Sequence, residues 1–425
     1  MKKITIAIAG LGSRGFDTYG KRLAQMGDTA QVVAVAEPRQ KRRDEAAALF
    51  GLSESGCFET AEEMLKQERL ADVMLICTLD DQHEHQAVAA LEAGYHLLLE
   101  KPIAPTKEGC RHIEETAERY NRHVAVCHVL RFTPFYQKIR ELIVSGKIGD
   151  VVNVQAMEHV GYWHQAHSFV RGNWRNSEQT SPMILQKCCH DMDILLWLTG
   201  KRCVRVTSFG SLRLFKESCA PEGSTLRCTD SCAVKDTCPF NAVKWYGDQL
   251  KKGNTDWPLN VVCPYGTPDE ENLLAALKEG PYGRCVYHCD NNVVDHQVVN
   301  LEFENHVTVN MTMSAFTENC ARRIHIMGTK GELRGNMELG EIEISDFSTG
   351  EKEIIQLYTP PTGHSGSDTN MMKDFVRYMR EDSTQVRSGA SVSVESHLIA
   401  LAAERSRVTG ETVDLREFRK EAEGC

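Results

Sequence analysis

Up to Cys127, short apolar runs alternate with segments of helical spacing. Strand-like runs fall at Ile4–Ala9, Gln31–Glu37, Asp72–Thr78, His96–Leu99 and His123–Cys127, with amphipathic stretches such as Glu84–Ala93 and Lys107–Tyr120 between them. Strand and helix in rotation predict a doubly wound parallel sheet. After a helical bridge at Pro134–Ser145 the rhythm changes. Long strand-like runs follow at Val151–Val160, Val204–Leu214, Val293–Phe303, Val307–Ser314, Arg323–Gly328, Glu332–Asn336 and Ile342–Ser345, several joined by short turns such as "GTKGE". They predict a large, mainly antiparallel sheet. Two helical patterns, Thr369–Arg380 and Val392–Arg407, close the chain. The expected fold is α/β, a parallel-sheet domain over 1–127 followed by an α+β domain over 128–425. A Cys-, Gly- and Pro-rich insert occupies about 215–292.

Composition narrows the class. The chain has 425 residues, 41% apolar and 25% charged, enough for two buried cores. A net charge of −10 argues against a nucleic-acid partner. The one basic run, "RQKRR" at 39–43, reads as a solvated first helical turn. "MKKITIAIAGLG" is too short and too interrupted for a signal peptide and runs straight into glycines, so it reads as a buried strand. No apolar run reaches membrane-spanning length. The protein is expected to be cytoplasmic, with its 16 cysteines as thiols or metal ligands.

"IAIAGLGSRG" carries Gly10, Gly12 and Gly15 in the pattern G-x-G-x-x-G, after a strand and opening a helix. The first glycine permits a tight turn, the second lets the backbone approach a pyrophosphate, and the third lets helix pack on strand. The helix start, with Ser13 and Arg14, offers its N–H groups to the phosphates. The next strand ends at Glu37, 22 residues beyond Gly15, where a carboxylate binds ribose hydroxyls and repels a 2′-phosphate. NAD is therefore favoured over NADP. Arg39, which accommodates such a phosphate, tempers that preference. At "LLLEKP", Glu100 and Lys101 follow a buried strand, at the edge where doubly wound sheets bind ligands. Lys101 there suits proton exchange with a substrate hydroxyl. A surface Glu–Lys pair capping the strand is an equal reading of the pattern alone.

These features together, with "CTLDDQHEHQAVAALEAGYHLLLEKP" and a largely antiparallel second domain, resemble the glucose-fructose oxidoreductase / inositol dehydrogenase / rhizopine catabolism (Gfo/Idh/MocA) family over nearly the whole chain. The resemblance implies hydride transfer between NAD(P) and a carbon of a sugar or cyclitol. It implies that Lys101 is the catalytic lysine, that Thr78 and Glu100 lie along the cofactor, and that His83 is a structural or cofactor-edge residue. Arg131 in "HVLRFTPFY" matches a segment lining the interdomain cleft. A dimer or tetramer, with the outer sheet face buried between subunits, is also implied.

"ILQKCCHDMDILLWLTG" (184–200) crowds polar groups onto a helical pattern. The family helix reads Asp-x-x-x-His, with Asp three residues on and Trp four after that. His190, Asp193 and Trp197 match, but Gln186 stands where the first aspartate would be. Positions 186, 190, 193 and 197 share one helical face. His190 is thus the second catalytic candidate, as proton acceptor or hydroxyl orienter, with Asp193 orienting it. A glutamine takes up no proton, so Lys187 or another group would have to fill the carboxylate role. Cys188 and Cys189 point to different sides and read as core filler. "GYWHQAHSFVRGNWRN" gathers Tyr162, Trp163, His164, His167, Arg171, Trp174 and Arg175, aromatics and donors suited to a sugar. A loop packing aromatics on the second sheet is the competing reading. In "GHSGSD", His364 is a further cleft candidate, with helix capping by Ser367 or Asp368 an equal alternative.

Seven of the cysteines fall between 219 and 289. Cys228-x3-Cys232 has structural-zinc spacing, and Cys219 and Cys238 would complete a four-thiolate zinc staple, with an iron–sulfur cluster or separate buried thiols as alternatives. The leading functional expectation is an NAD-dependent oxidoreductase for a sugar or cyclitol hydroxyl. Two others stand beside it: a glycosidase that transiently oxidises a ring hydroxyl and recycles its NAD, and a non-catalytic sugar or nucleotide sensor.

Overall fold

The computed structural model describes residues 3–264, 267–360, 366–381 and 388–421. Six parallel strands form the first sheet: β1 (Ile4–Ala9), β2 (Ala30–Ala36), β3 (Cys57–Phe58), β4 (Val73–Ile76), β5 (His96–Leu99) and β6 (Val124–Val126), in the order β3-β2-β1-β4-β5-β6. Both faces are covered, as parallel sheets require. On one side Ile6, Ile8, Val35 and Leu75 pack beneath Phe16, Leu23 and the helix Ser367–Glu381 through Met371, Met372 and Phe375. On the other, Ala7, Met74, Ile76 and Leu97 meet Ala87 and Leu91 of the helix His83–Glu92, and Ile113 and Ala117 of Lys107–Arg119. The helix Ser367–Glu381 thus returns to the first sheet, and further along the chain the Ser388 carbonyl accepts the Val126 N–H at 2.9 Å. Thr106 and Thr133 cap the helices Lys107–Arg119 and Pro134–Val144 by accepting Gly109 and Tyr136 N–H groups.

The second sheet has nine strands: β7 (Val151–His159), β8 (Cys203–Ser211), β9 (His296–Phe303), β10 (Thr308–Ser314), β11 (Ala321–Gly328), β12 (Gly331–Asn336), β13 (Glu341–Asp346), β14 (Lys352–Gln356) and β15 (Val413–Asp414). Their order is β14-β13-β12-β11-β7-β10-β9-β8-β15, antiparallel except for β7 with β10. β3, β14 and β15 are not foretold by the sequence, because runs of two to five residues carry little periodicity. The basic run is not a free patch: Arg39 pairs with Glu37, Arg42 with Asp17, and Arg43 binds the Glu37 and Pro38 carbonyls.

Candidate active site

The turn after β1 is dictated by backbone contact. Gly10 has φ of +85°, and a Cβ there would meet the Cys77 carbonyl oxygen at 2.6 Å; a Cβ on Gly15 would lie 1.9 Å from the Gly10 oxygen. A Cβ on Gly12 would meet nothing within 4 Å, so open space borders the loop where the pyrophosphate of a dinucleotide would lie. The segment Ser13–Gly20 is π-wound and starts with Ser13 and Arg14. Glu37 ends β2 and accepts the Leu11 N–H at 2.8 Å, which fixes its carboxylate beside the loop. Burial pushes that carboxyl up, but the Arg39 guanidinium at 2.6 Å and the Leu11 N–H outweigh it and hold it below the usual range. These residues fit a dinucleotide.

Lys101 sits on a loop clamped from several sides. Glu100 accepts Arg14 Nε at 2.7 Å, the Tyr19 hydroxyl at 2.6 Å and the Lys101 N–H at 3.0 Å. Burial opposes the charge on Glu100, yet Arg14 and Lys101 keep its carboxyl lowered, a permanent anion. Arg14 also reaches Asp368 at 2.8 Å, which ties the glycine loop, the Glu-Lys-Pro turn and the helix Ser367–Glu381 together. His83, fully buried at the start of its helix, bonds the Pro102 carbonyl through Nδ1 at 2.7 Å and the Thr78 carbonyl through Nε2 at 3.3 Å. Thr78 donates its hydroxyl to Gln86. From the far side, Ile103 N–H donates to His397 Nε2 at 2.9 Å. Out of this clamp Lys101 Nζ donates to the Gln186 carbonyl at 2.7 Å, joining the two halves of the molecule.

The stretch 184–200 is not one helix. A turn, Met183–Gln186, ends at Lys187, and a second helix, Cys189–Thr199, follows. The continuous stripe expected through Gln186 is therefore interrupted, and it is the Gln186 backbone that meets Lys101. Lys187 pairs with buried Glu158 at 3.2 Å, and Glu158 is also held by Arg322 at 2.9 Å, which bonds Asp191 in turn. Burial pushes the Glu158 carboxyl up to about 7 against the pull of these two cations. Arg131, expected to line the cleft, is buried and spends its guanidinium on Asp193 through bonds of 2.6 and 2.8 Å, above the Trp197 ring. The His190 ring stands edge-on to His128 at 5.8 Å, and His128 to His397 at 5.6 Å. Cys188 and Cys189 are fully buried.

The segment 161–176 divides. His164 meets the Cys320 thiol at 3.5 Å. Trp174 Nε1 donates to Asp80 at 3.3 Å, and Ser181 donates to the same carboxylate at 2.7 Å. His167 and Arg171 are spent on the insert: His167 bonds the Tyr246 hydroxyl at 2.7 Å, and Arg171 holds the Arg284 and Phe240 carbonyls, each at 2.7 Å. Tyr162 lies against Phe240. His364 lies outside the described residues. The zinc expectation is corrected. Among the described residues no three His, Cys, Asp or Glu side chains are arranged to hold a metal ion. Cys219 and Cys238 pack on one apolar cluster and Cys228 on another; Cys219 donates to the Arg213 carbonyl, and Cys228 accepts from Arg171. Cys228, Cys232, Cys238 and Cys285 border a cavity of about 20 Å³.

No motif of the sequence assigns a role to Tyr19, Asp80, His128, Glu158, Arg322 or His397. Only Asp80, in "TLDDQH" just past a strand end, carries a local signal. The others owe their positions to contacts across more than sixty positions of chain, such as Tyr19–Glu100 and Ile103–His397.

The same architecture appears in known proteins. Profiles of an oxidoreductase family match residues 4–128, described as its NAD-binding Rossmann fold, and 140–415, its C-terminal alpha/beta domain. The chain therefore belongs to the Gfo/Idh/MocA oxidoreductase family. YteT of Bacillus subtilis (strain 168), described as an oxidoreductase with no stated substrate, is 24% identical over 393 residues, 87% of each chain. Inositol 2-dehydrogenase of Corynebacterium glutamicum (strain R) is 29% identical over 206 residues, 48% of this chain and 57% of the relative, so that match spans about half of either protein. In structure, a levoglucosan dehydrogenase solved with NADH and levoglucosan superposes with a TM-score of 0.71 at 18% identity, covering 97% of this chain and all of the other. No helix among the described residues is long and apolar enough to cross a membrane.

Proposed function

We propose that the protein is an NAD-dependent oxidoreductase that moves hydride between nicotinamide and a carbinol carbon of a sugar or cyclitol. The observation that carries this reading is Lys101, whose Nζ leaves a rigid strand end and crosses to the second domain at Gln186. Gly10, Gly12, Ser13, Arg14 and Gly15 would hold the pyrophosphate and Glu37 a ribose, with Thr78, His83 and Glu100 along the nicotinamide side. Bound NAD supplies the hydride acceptor. Lys101 exchanges the proton of the substrate hydroxyl, and His190, on the facing helix, orients that hydroxyl or takes the proton onward. Lys187, held by Glu158, and His164 contact the substrate. Small carbohydrates acted on by the named relatives support this substrate class.

Gln186 favours a second reading, glycoside hydrolysis through transient oxidation of a ring hydroxyl. An amide cannot supply the carboxylate that relatives place there. One experiment separates the readings: free polyols and nitrophenyl glycosides are each incubated with the protein and NAD. Stoichiometric NADH from a free polyol supports the dehydrogenase. Nitrophenol release without net NADH supports the glycosidase, and ligand binding with neither activity supports a sensor. We further assign subunit contact to the outer face of the second sheet, which exposes Met157 and Phe209.

A further inference from the structure

The insert contributes more than its own fold. It brings Trp245 and Trp257 to the segment after β7. Trp245 stacks on Trp163, with centroids 5.0 Å apart and planes at 16°. Trp257 lies 5.7 Å from Trp163 and meets the His164 ring edge-on at 5.2 Å. His164 also stacks on Trp163 at 5.5 Å. Three of the chain's five tryptophans thus meet in one cluster, which leaves the Trp257 side chain 36% exposed.

Two observations locate this cluster at the cleft. His164 Nδ1 lies 3.5 Å from the Cys320 thiol, two residues before the Arg322 that shares Glu158 with Lys187, and burial with the charges of Lys187 and Lys101 holds its imidazole well below the usual range. The insert is also fastened across the cleft. Asn260 Nδ2, three residues after Trp257, donates to Asp17 Oδ2 at 3.2 Å, and Asp17 lies in the first helical segment after the glycine loop. On the other side Arg171, His167 and the Arg175–Asp290–Arg284 bridge fix the insert to the second domain. The indoles are therefore held rigidly beside the reaction site. A rigid, partly exposed indole such as Trp257 loses little entropy when it stacks on the C–H face of a pyranose.

We propose that Trp257, backed by Trp163 and Trp245, forms a second sugar subsite, on which the ring beyond the reacting one stacks, so that the natural substrate is an oligosaccharide or a glycoside with a sugar leaving group. The proposal rests on the carbohydrate reading above and deepens it.

The test is calorimetric binding of maltose, cellobiose and lactose, with glucose and galactose as references, to the NAD-loaded full chain. The wild type is expected to bind at least one disaccharide about tenfold more tightly than its parent monosaccharide. Trp257→Ala should erase that advantage without changing monosaccharide or NAD affinity, even though the lost packing lowers the melting temperature, and Trp257→Phe should restore most of it. No disaccharide advantage in the wild type, or equal loss for both sugar sizes in Trp257→Ala, overturns the proposal. Because the readout is binding, a disaccharide advantage without turnover would count against the oxidoreductase reading and leave the subsite standing.

Discussion

The proposed preference for NAD over NADP rests on Glu37 and Arg39. The Glu37 carboxylate is fixed by the Leu11 N–H and holds Arg39 through bonds of 2.6 and 3.1 Å, so the guanidinium is not presented to a 2′-phosphate. Replacing Glu37 by Ser removes the repelling charge and releases Arg39. Glu37→Ser is expected to shift the ratio of NADP to NAD affinity about tenfold or more toward NADP, as measured by titration of the protein with each cofactor. An unchanged ratio would remove Glu37 from the ribose site. These residues are legible in the sequence because their constraint is local: a strand end, a turn and fixed glycine positions. Gln186 is legible only in part. Its identity marks a departure from the family pattern, but the group that meets Lys101 is its carbonyl, which any residue would supply.

The helix Cys189–Thr199 is anchored to the turn Val129–Phe132 by the Arg131–Asp193 pair. Both groups are buried, so removing one leaves an uncompensated charge. Asp193→Ala should therefore cost about 3–5 kcal/mol, read as a lower denaturant midpoint, and it should disturb His190 on the same helix. A change below about 1 kcal/mol would contradict the pairing. Apolar periodicity foretells this helix and its polar face. It does not foretell the break at Lys187, since residues 184–198 read as one continuous helical pattern. Nor does it separate His164 from His167 and Arg171: all three fit a sugar site by chemistry, and only the folded insert, with Tyr246 and two backbone carbonyls, draws the last two away. The cysteine spacing brings Cys228, Cys232, Cys238 and Cys285 to the border of one small cavity, yet no three of the described His, Cys, Asp or Glu side chains are arranged there to hold a metal ion.

For the molecule as a whole, both sheets and the glycine loop follow from alternation and length, whereas the joint between the halves is built of long-range polar contacts. Neutral histidines are buried there and under the insert. Burial, aided by Arg171, brings His167 down to about 3; burial, aided by His128, brings His397 to about 3; His128 is likewise lowered, by burial, Arg131 and Lys101. Each is depressed below the unfolded value, so its stabilising contribution is present above about pH 6.5 and is lost as the pH falls below that, down to about 3 for His167 and His397. Each group can remove about 1.4 kcal/mol per pH unit in that window. Calorimetric melting should show a steep fall in Tm from pH 6.5 downward, and a flat profile to pH 4 would contradict the neutral buried rings. The central claim, that proton transfer at the junction belongs to Lys101, is tested most directly by Lys101→Ala assayed with an accepted polyol, with NAD affinity measured on the same sample. The predicted result is a loss of about 10²–10⁴-fold in kcat with NAD affinity within threefold of the wild type; turnover at the wild-type rate would contradict it.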